Sequence, residues 1–261
     1  MRSSQEYEQA MELVSRGLND SEIARATGIP RATVREWRIG EGYRHREGEA
    51  GRAGIDCDGS CSAVEQQAVG RARTYAHLFG LYLGDGTISD QRRGVTRLRV
   101  FLDEKYPRII EGCVRSMSTI RGSDRIGLTT HPGCIEVGSS WKHWKCEFPQ
   151  AGPGMKHTRH IALERWQQRI VDGHPEEFLR GLYESDGSRH INPITRRLPT
   201  GIRHYRYSRY MFSNESADIQ RLFKETCDAL GVHWTQASRK NIAVSRREDV
   251  AFLDEFLGPK E

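Results

Sequence analysis

The chain has 261 residues, with 40 Lys and Arg against 35 Asp and Glu, for a net charge of +5. That length accommodates one or two domains with cores of their own, and so modest a cationic surplus is compatible with a nucleic-acid partner without requiring one. No apolar run is long enough to span a bilayer, and residues 1–6 lack the apolar core of a secretory signal. The expected setting is therefore the cytoplasm, at the nucleoid if the source is bacterial.

Residues 1–40 read as a small helical domain. Met11, Leu13 and Val14 give Glu8–Arg16 an amphipathic pattern. Asn19-x-x-Glu22 is a capping box ahead of Ile23, and Thr27-Gly28-Ile29-Pro30 is a turn into a helix over Arg31–Arg38. Val34 and Trp37 would be buried, leaving Arg31, Thr33, Arg35 and Arg38 outward. This is similar to a helix-turn-helix DNA-binding unit with Arg31–Arg38 as the recognition helix; a helical hairpin used for packing is the alternative.

Residues 41–72 form a Gly-rich, charged stretch without apolar periodicity, expected to be a linker. The six cysteines are scattered, which argues against a disulfide framework. Cys57 and Cys61 make a C-x₃-C pair that could be half a zinc site, with no nearby residues at a spacing that completes it.

The remainder carries one pattern twice, over 73–175 and 176–261. An apolar helix ends at Asp85; strand-like Thr87–Ser89 and Thr96–Leu102 follow, then a helix over Tyr106–Ile120, a hairpin over Arg125–Thr130 and Cys134–Ser140, and a helix over Leu163–Val171. After Asp186 the order repeats: Gly187–Ile194 and Ile202–Ser213 as strands, Ala217–Leu230 as helix, Val232–Ala237 and Ile242–Ser245 as a hairpin, Asp249–Leu257 as the last helix.

Each repeat opens on nearly the same nine residues, Leu78-Phe79-Gly80-Leu81-Tyr82-Leu83-Gly84-Asp85-Gly86 and Leu179-Arg180-Gly181-Leu182-Tyr183-Glu184-Ser185-Asp186-Gly187. Gly80 and Gly84, and Gly181 and Ser185, share one helix face at i, i+4 spacing. Such small-residue faces allow close helix approach. Face-to-face packing would set Asp85 beside Asp186, and two adjacent carboxylates suit Mg²⁺ held together with phosphate oxygens.

At these residues the sequence resembles the LAGLIDADG family, which includes homing endonucleases. Leu78, Gly80, Leu81, Asp85 and Gly86 match one motif copy, and Leu179, Gly181, Leu182, Asp186 and Gly187 the other. The resemblance implies an α+β fold: a duplicated αββαββα saddle with pseudo-twofold symmetry, here preceded by the helix-turn-helix domain. It also implies that Asp85 and Asp186 ligate the catalytic metal, expected to be Mg²⁺.

The strands after each motif are basic. Residues 188–211 contain no Asp or Glu but include Arg189, Arg203, Tyr205, Arg206 and Arg209; the first repeat supplies Arg92, Arg93, Arg97 and Arg99. If 203–210 is a strand, one face carries Arg203, Tyr205, Tyr207 and Arg209 and the other His204, Arg206, Ser208 and Tyr210. Arginines there could contact phosphates or guanine edges of double-stranded DNA. Gly152-Pro153-Gly154 leads into Lys156, the candidate basic catalytic residue; its nearest counterparts in the second repeat are Arg246 and Arg247.

The sequence thus points to a site-specific, metal-dependent endonuclease acting on double-stranded DNA, with a monomeric nuclease body. The alternative is a transcription regulator that joins a LAGLIDADG-like body to a helix-turn-helix domain and does not cut. Two retained carboxylates favour cleavage, because their mutual repulsion must be offset by something.

Overall fold

The computed structural model describes residues 4–38 and 71–260. The chain separates into two compact units, one carrying the first of these stretches and the other the second. The expected linker up to residue 70, with Cys57 and Cys61, lies outside the described residues.

The N-terminal unit is three short helices: α1 (Ser4–Ser15), α2 (Asp20–Thr27) and α3 (Arg31–Arg38). Asn19 caps α2 as its sequence requires, its side chain accepting from the Ser21 and Glu22 amides while Glu22 accepts from the Asn19 amide. Gly28 ends α2 at φ +72°, a left-handed conformation that glycine adopts without a Cβ penalty. Ala10, Ile23, Ile29, Val34 and Trp37 form a core separate from that of the body.

The body is built twice. In the first half, α4 (Ala72–Asp85) leads into β1 (Gly86–Asp90) and β2 (Thr96–Asp103), then α5 (Pro107–Arg121), β3 (Gly127–His131) and β4 (Cys134–Trp141). A short helix, α6 (Trp144–Glu147), and then α7 (Arg165–Gly173) complete it. In the second half, α8 (Pro175–Asp186) leads into β5 (Gly187–Leu198) and β6 (Gly201–Ser213), then α9 (Ala217–Ala229), β7 (Thr235–Gln236), β8 (Asn241–Val244) and α10 (Arg247–Phe256). The sheets are antiparallel with equivalent strand orders, β1-β2-β4-β3 and β5-β6-β8-β7. This is the duplicated α+β saddle expected from the sequence.

Each sheet has one face against helices and one open. Along β2, Thr96, Leu98, Val100 and Leu102 are buried while Arg97, Arg99, Phe101 and Asp103 alternate outward. In β6, buried Tyr210 and Phe212 define the covered face. One apolar core runs through both halves, and the Phe79 and Phe178 rings, 5.5 Å apart, join the two motif helices.

Two strand expectations need correction. The segment 232–237 pairs only at Thr235–Gln236; Gly231 turns the chain just before it at φ +70°, and the Val232 amide bonds back to the Cys227 carbonyl at the end of α9. Conversely, β5 does not stop at Ile194 but runs to Leu198. Pro193 is tolerated there because β5 is an edge strand, where a missing N–H breaks no ladder on its outer side.

Candidate functional site

The site is set by how closely α4 and α8 approach. A Cβ on Gly80 would sit 2.6 Å from the Phe178 carbonyl oxygen and 2.7 Å from the Leu182 amide. One on Gly181 would collide with the His77 carbonyl, and one on Gly84 with Ser185. The four small residues singled out in the motifs are therefore the contact points, and both helices end there, α4 at Asp85 and α8 at Asp186.

Both carboxylates are in an adverse place. Each terminates a helix whose dipole is negative at that end, and each is largely withdrawn from water. Burial, reinforced by the charge of Asp186, pushes the Asp85 carboxyl up to about 6. Burial also raises Asp186, although Asn214 Nδ2 donates to its Oδ2 at 2.6 Å.

Two lysines offset this arrangement. Lys156 Nζ donates to the carbonyls of Tyr82, Leu83 and Gly84, closing the C-terminus of α4, and lies 5.0 Å from the centre of the Tyr82 ring. Lys260 Nζ donates to the Ser185 carbonyl at 3.1 Å near the end of α8 and lies 5.5 Å from the Tyr183 ring. Tyr82 and Tyr183 hold the same position in the two motifs. Burial brings Lys156 down to about 8 and lowers Lys260 as well. Both lysine charges act on both carboxylates and oppose the rise that burial causes.

The sequence singled out Lys156 but not Lys260; Arg246 and Arg247, named as the second-half counterparts, lie at the start of α10. A signal was present. Lys156 follows Asp85 by 71 residues (156 − 85) and Lys260 follows Asp186 by 74 (260 − 186), each after a Gly-Pro turn. Also unforeseen is the link between the motif helices below the carboxylates. His77 Nε2 is 2.7 Å from Glu184 Oε2 and Nδ1 is 2.9 Å from Ser116 Oγ.

A cavity of about 470 Å³ opens beside Asp186, walled by Gly86, Lys156, Arg159 and Asn214 among others. Arg159 holds the Tyr82 hydroxyl, yet its buried Nε and Nη1 have no partner. Among the described residues no group of three or more His, Cys, Asp or Glu could hold a metal. Asp186 on the cavity wall, with Asp85 at the neighbouring helix end, nonetheless fits a hard cation that completes its shell with water and phosphate oxygens.

The strand arginines divide by face. Register places Arg203, Tyr205, Tyr207 and Arg209 with Met211, opposite in orientation to buried Tyr210 and Phe212, on the open face. Arg206 and Arg189 lie on the other face, where Arg189 is fixed by a bidentate pair with Asp254 on α10, at 2.7 and 2.8 Å. In the first half Arg97 and Arg99 are on the open face; Arg97 is paired with Glu136 at 2.9 Å and Arg99 reaches Ser89. Arg92 and Arg93 form the turn between β1 and β2, with Arg93 at φ +62°. In the N-terminal unit Arg31 and Arg35 are exposed and Thr33 is half-buried, while Arg38 pairs with Asp20 at 3.0 Å.

No protein-family model and no curated protein matches the sequence. Solved structures similar to the chain include homing endonuclease I-DmoI in complex with DNA and Mn, at 15% identity over 72% of this chain and 97% of that one, TM-score 0.48. The LAGLIDADG homing endonuclease I-SmaMI bound to cleaved DNA is 12% identical over 68% and 79%, TM-score 0.42. The N-terminal LAGLIDADG domain of WhiA is 12% identical over 76% and 90%, TM-score 0.43.

Proposed function

We propose that the chain is a LAGLIDADG-type, metal-dependent endonuclease that cuts double-stranded DNA at a specific site. The observation that carries this reading is the Asp85/Asp186 pair at two closely packed helix ends, each end braced by a lysine. A purely DNA-binding saddle gains nothing from two repelling, half-buried carboxylates at helix ends, since each costs stability when ionised.

In this reading Asp85 and Asp186 hold a divalent cation, which would polarise a phosphodiester and lower the pKa of a bound water. The unpartnered Nε and Nη1 of Arg159 supply donors for a phosphate entering the cavity. Lys156 spends its three N–H groups on helix carbonyls, so it acts through the field it places on Asp186 and as a brace for α4. Lys260 does the same for Asp85 and α8. The open sheet faces take the duplex, Arg97, Arg99, Arg203 and Arg209 contacting phosphates or bases. The N-terminal unit, through Arg31, Thr33 and Arg35, serves as a helix-turn-helix contact beyond the saddle.

The test is cleavage of a randomised duplex library with Mg²⁺ or Mn²⁺, comparing the wild type with an Asp85→Asn/Asp186→Asn variant. Cuts at a defined sequence, lost in the variant, are expected. Sequence-selective binding without cutting in either metal would instead assign the chain to the regulator reading.

A further inference from the structure

The two halves are equal at the carboxylates and unequal in the strands that leave them. β1 and β2 pair at five positions, Gly86↔Val100 to Asp90↔Thr96, before turning. β5 and β6 start at the equivalent Gly187↔Phe212 and continue through twelve, to Leu198↔Gly201. In the first half β4 supports β2 along its whole length, Thr96–Asp103. In the second, β8 supports β6 only at Tyr210–Ser213, so residues 201–209 pair with β5 alone. The second half therefore extends a two-stranded ribbon past its sheet.

The chemistry of that ribbon asks for a polyanion. Arg196 and Arg203 sit directly opposite each other across the strands, both exposed, and like charges so placed repel. Neither has an acidic partner among the described residues, and the segment 188–211 contains no acid that could supply one. Tyr205 and Tyr207 stack on the same face, ring centroids 6.0 Å apart. In the first half the matching open face is compensated internally, Glu136 accepting from Arg97, whose hydrogen bond lowers its carboxyl.

We infer that the chain reads its DNA off-centre: the footprint extends further from the carboxylate pair on the side of the second half, with the β5–β6 ribbon lying in the major groove there. The major groove admits a two-stranded ribbon. Seven additional residue pairs at ~3.3 Å each span roughly 23 Å, or about seven base pairs at 3.4 Å. The inference rests on the nuclease reading only in taking duplex DNA as the partner.

The experiment uses the full chain on duplexes it selects from a randomised library, in EDTA so that no strand is cut, with hydroxyl-radical protection as readout. The Arg196→Ala/Arg203→Ala variant, altered only at exposed positions, is expected to lose protection over about four to seven base pairs at one flank. Arg99→Ala is expected to leave that flank as it is. A double variant that protects the same stretch as wild type, or that loses both flanks equally, overturns the inference. If the wild type still cuts the selected duplex when Mg²⁺ is added, the nuclease reading survives that failure. A wild type that selects no duplex at all overturns both.

Discussion

Compared half against half, the body repeats its chemistry and varies its reach. Each half contributes a small-residue helix, a terminal Asp, a Tyr and a Lys above that Tyr, in corresponding places. Their sheets divide length differently: the first half puts it into β3 and β4, of five and eight residues, where the second has only two and four in β7 and β8. The second half puts it into β5 and β6 instead. In the proposed reading a cation shared by the two helix ends would constrain both carboxylates to one geometry. Strands that would only follow a duplex would be free to lengthen on one side.

The sharpest way to break the equality at the centre is to remove one carboxylate. Asp85→Asn or Asp186→Asn is expected to reduce cleavage at least ~10³-fold while leaving duplex binding in place, measured by single-turnover cleavage alongside a binding titration. Cutting that persists in one of them would mean the halves are not equivalent there.

Next in size is the helix contact. Gly181→Ala drives a Cβ into the His77 carbonyl, and Gly80→Ala one into Phe178 and Leu182. The obstacles are backbone, so the helices must separate. A loss of about 3 kcal/mol or more is expected at each site in denaturant unfolding. An unaltered midpoint in either variant would show that the helices approach less closely than described.

The carboxylate repulsion has its own pH signature. Because the folded-state pKa of Asp85 is raised to about 6, its protonated form stabilises the fold at low pH, and that contribution fades as pH rises through about 6. Without metal, Asp85→Asn is therefore expected to match wild type near pH 4 and to exceed it at pH 7 and above, on the order of 1–3 kcal/mol. Unfolding midpoints against pH give the curve; a variant less stable at pH 7 would reverse the sign.

The smallest effect separates the two faces of the ribbon. Arg203→Ala, on the open face, is expected to weaken binding or relax sequence preference by about 1–3 kcal/mol, and Arg206→Ala, on the other, by less than about 0.5 kcal/mol. Equal losses would put both faces of the ribbon on DNA.

Much of this was legible in the sequence because the motifs are local: nine residues fix a helix, its contact face and its terminal Asp. The alternation along Arg203–Tyr210 was legible too, but not which set faces out, since that depends on Tyr210 and Phe212 meeting helices that lie elsewhere in the chain. Arg189 reads as a DNA contact, and its pairing with Asp254, 65 residues on, was not legible. Lys260 stayed hidden because a lysine over a tyrosine ring is a tertiary relation with no local pattern, and only the similar offsets from Asp85 and Asp186 betray it. The Glu184–His77–Ser116 link is of the same kind, joining three helices.

In the proposed reading one centre serves both halves, with both carboxylates lying in the field of both lysines. Strand-resolved cleavage rates for Lys156→Ala and Lys260→Ala, on a duplex the wild type cuts, test it most directly. Each variant is expected to slow cutting about 10²-fold, with the more affected strand exchanged between the two. A Lys260→Ala enzyme that cuts both strands at the wild-type rate would mean that Lys260 plays no part in the centre.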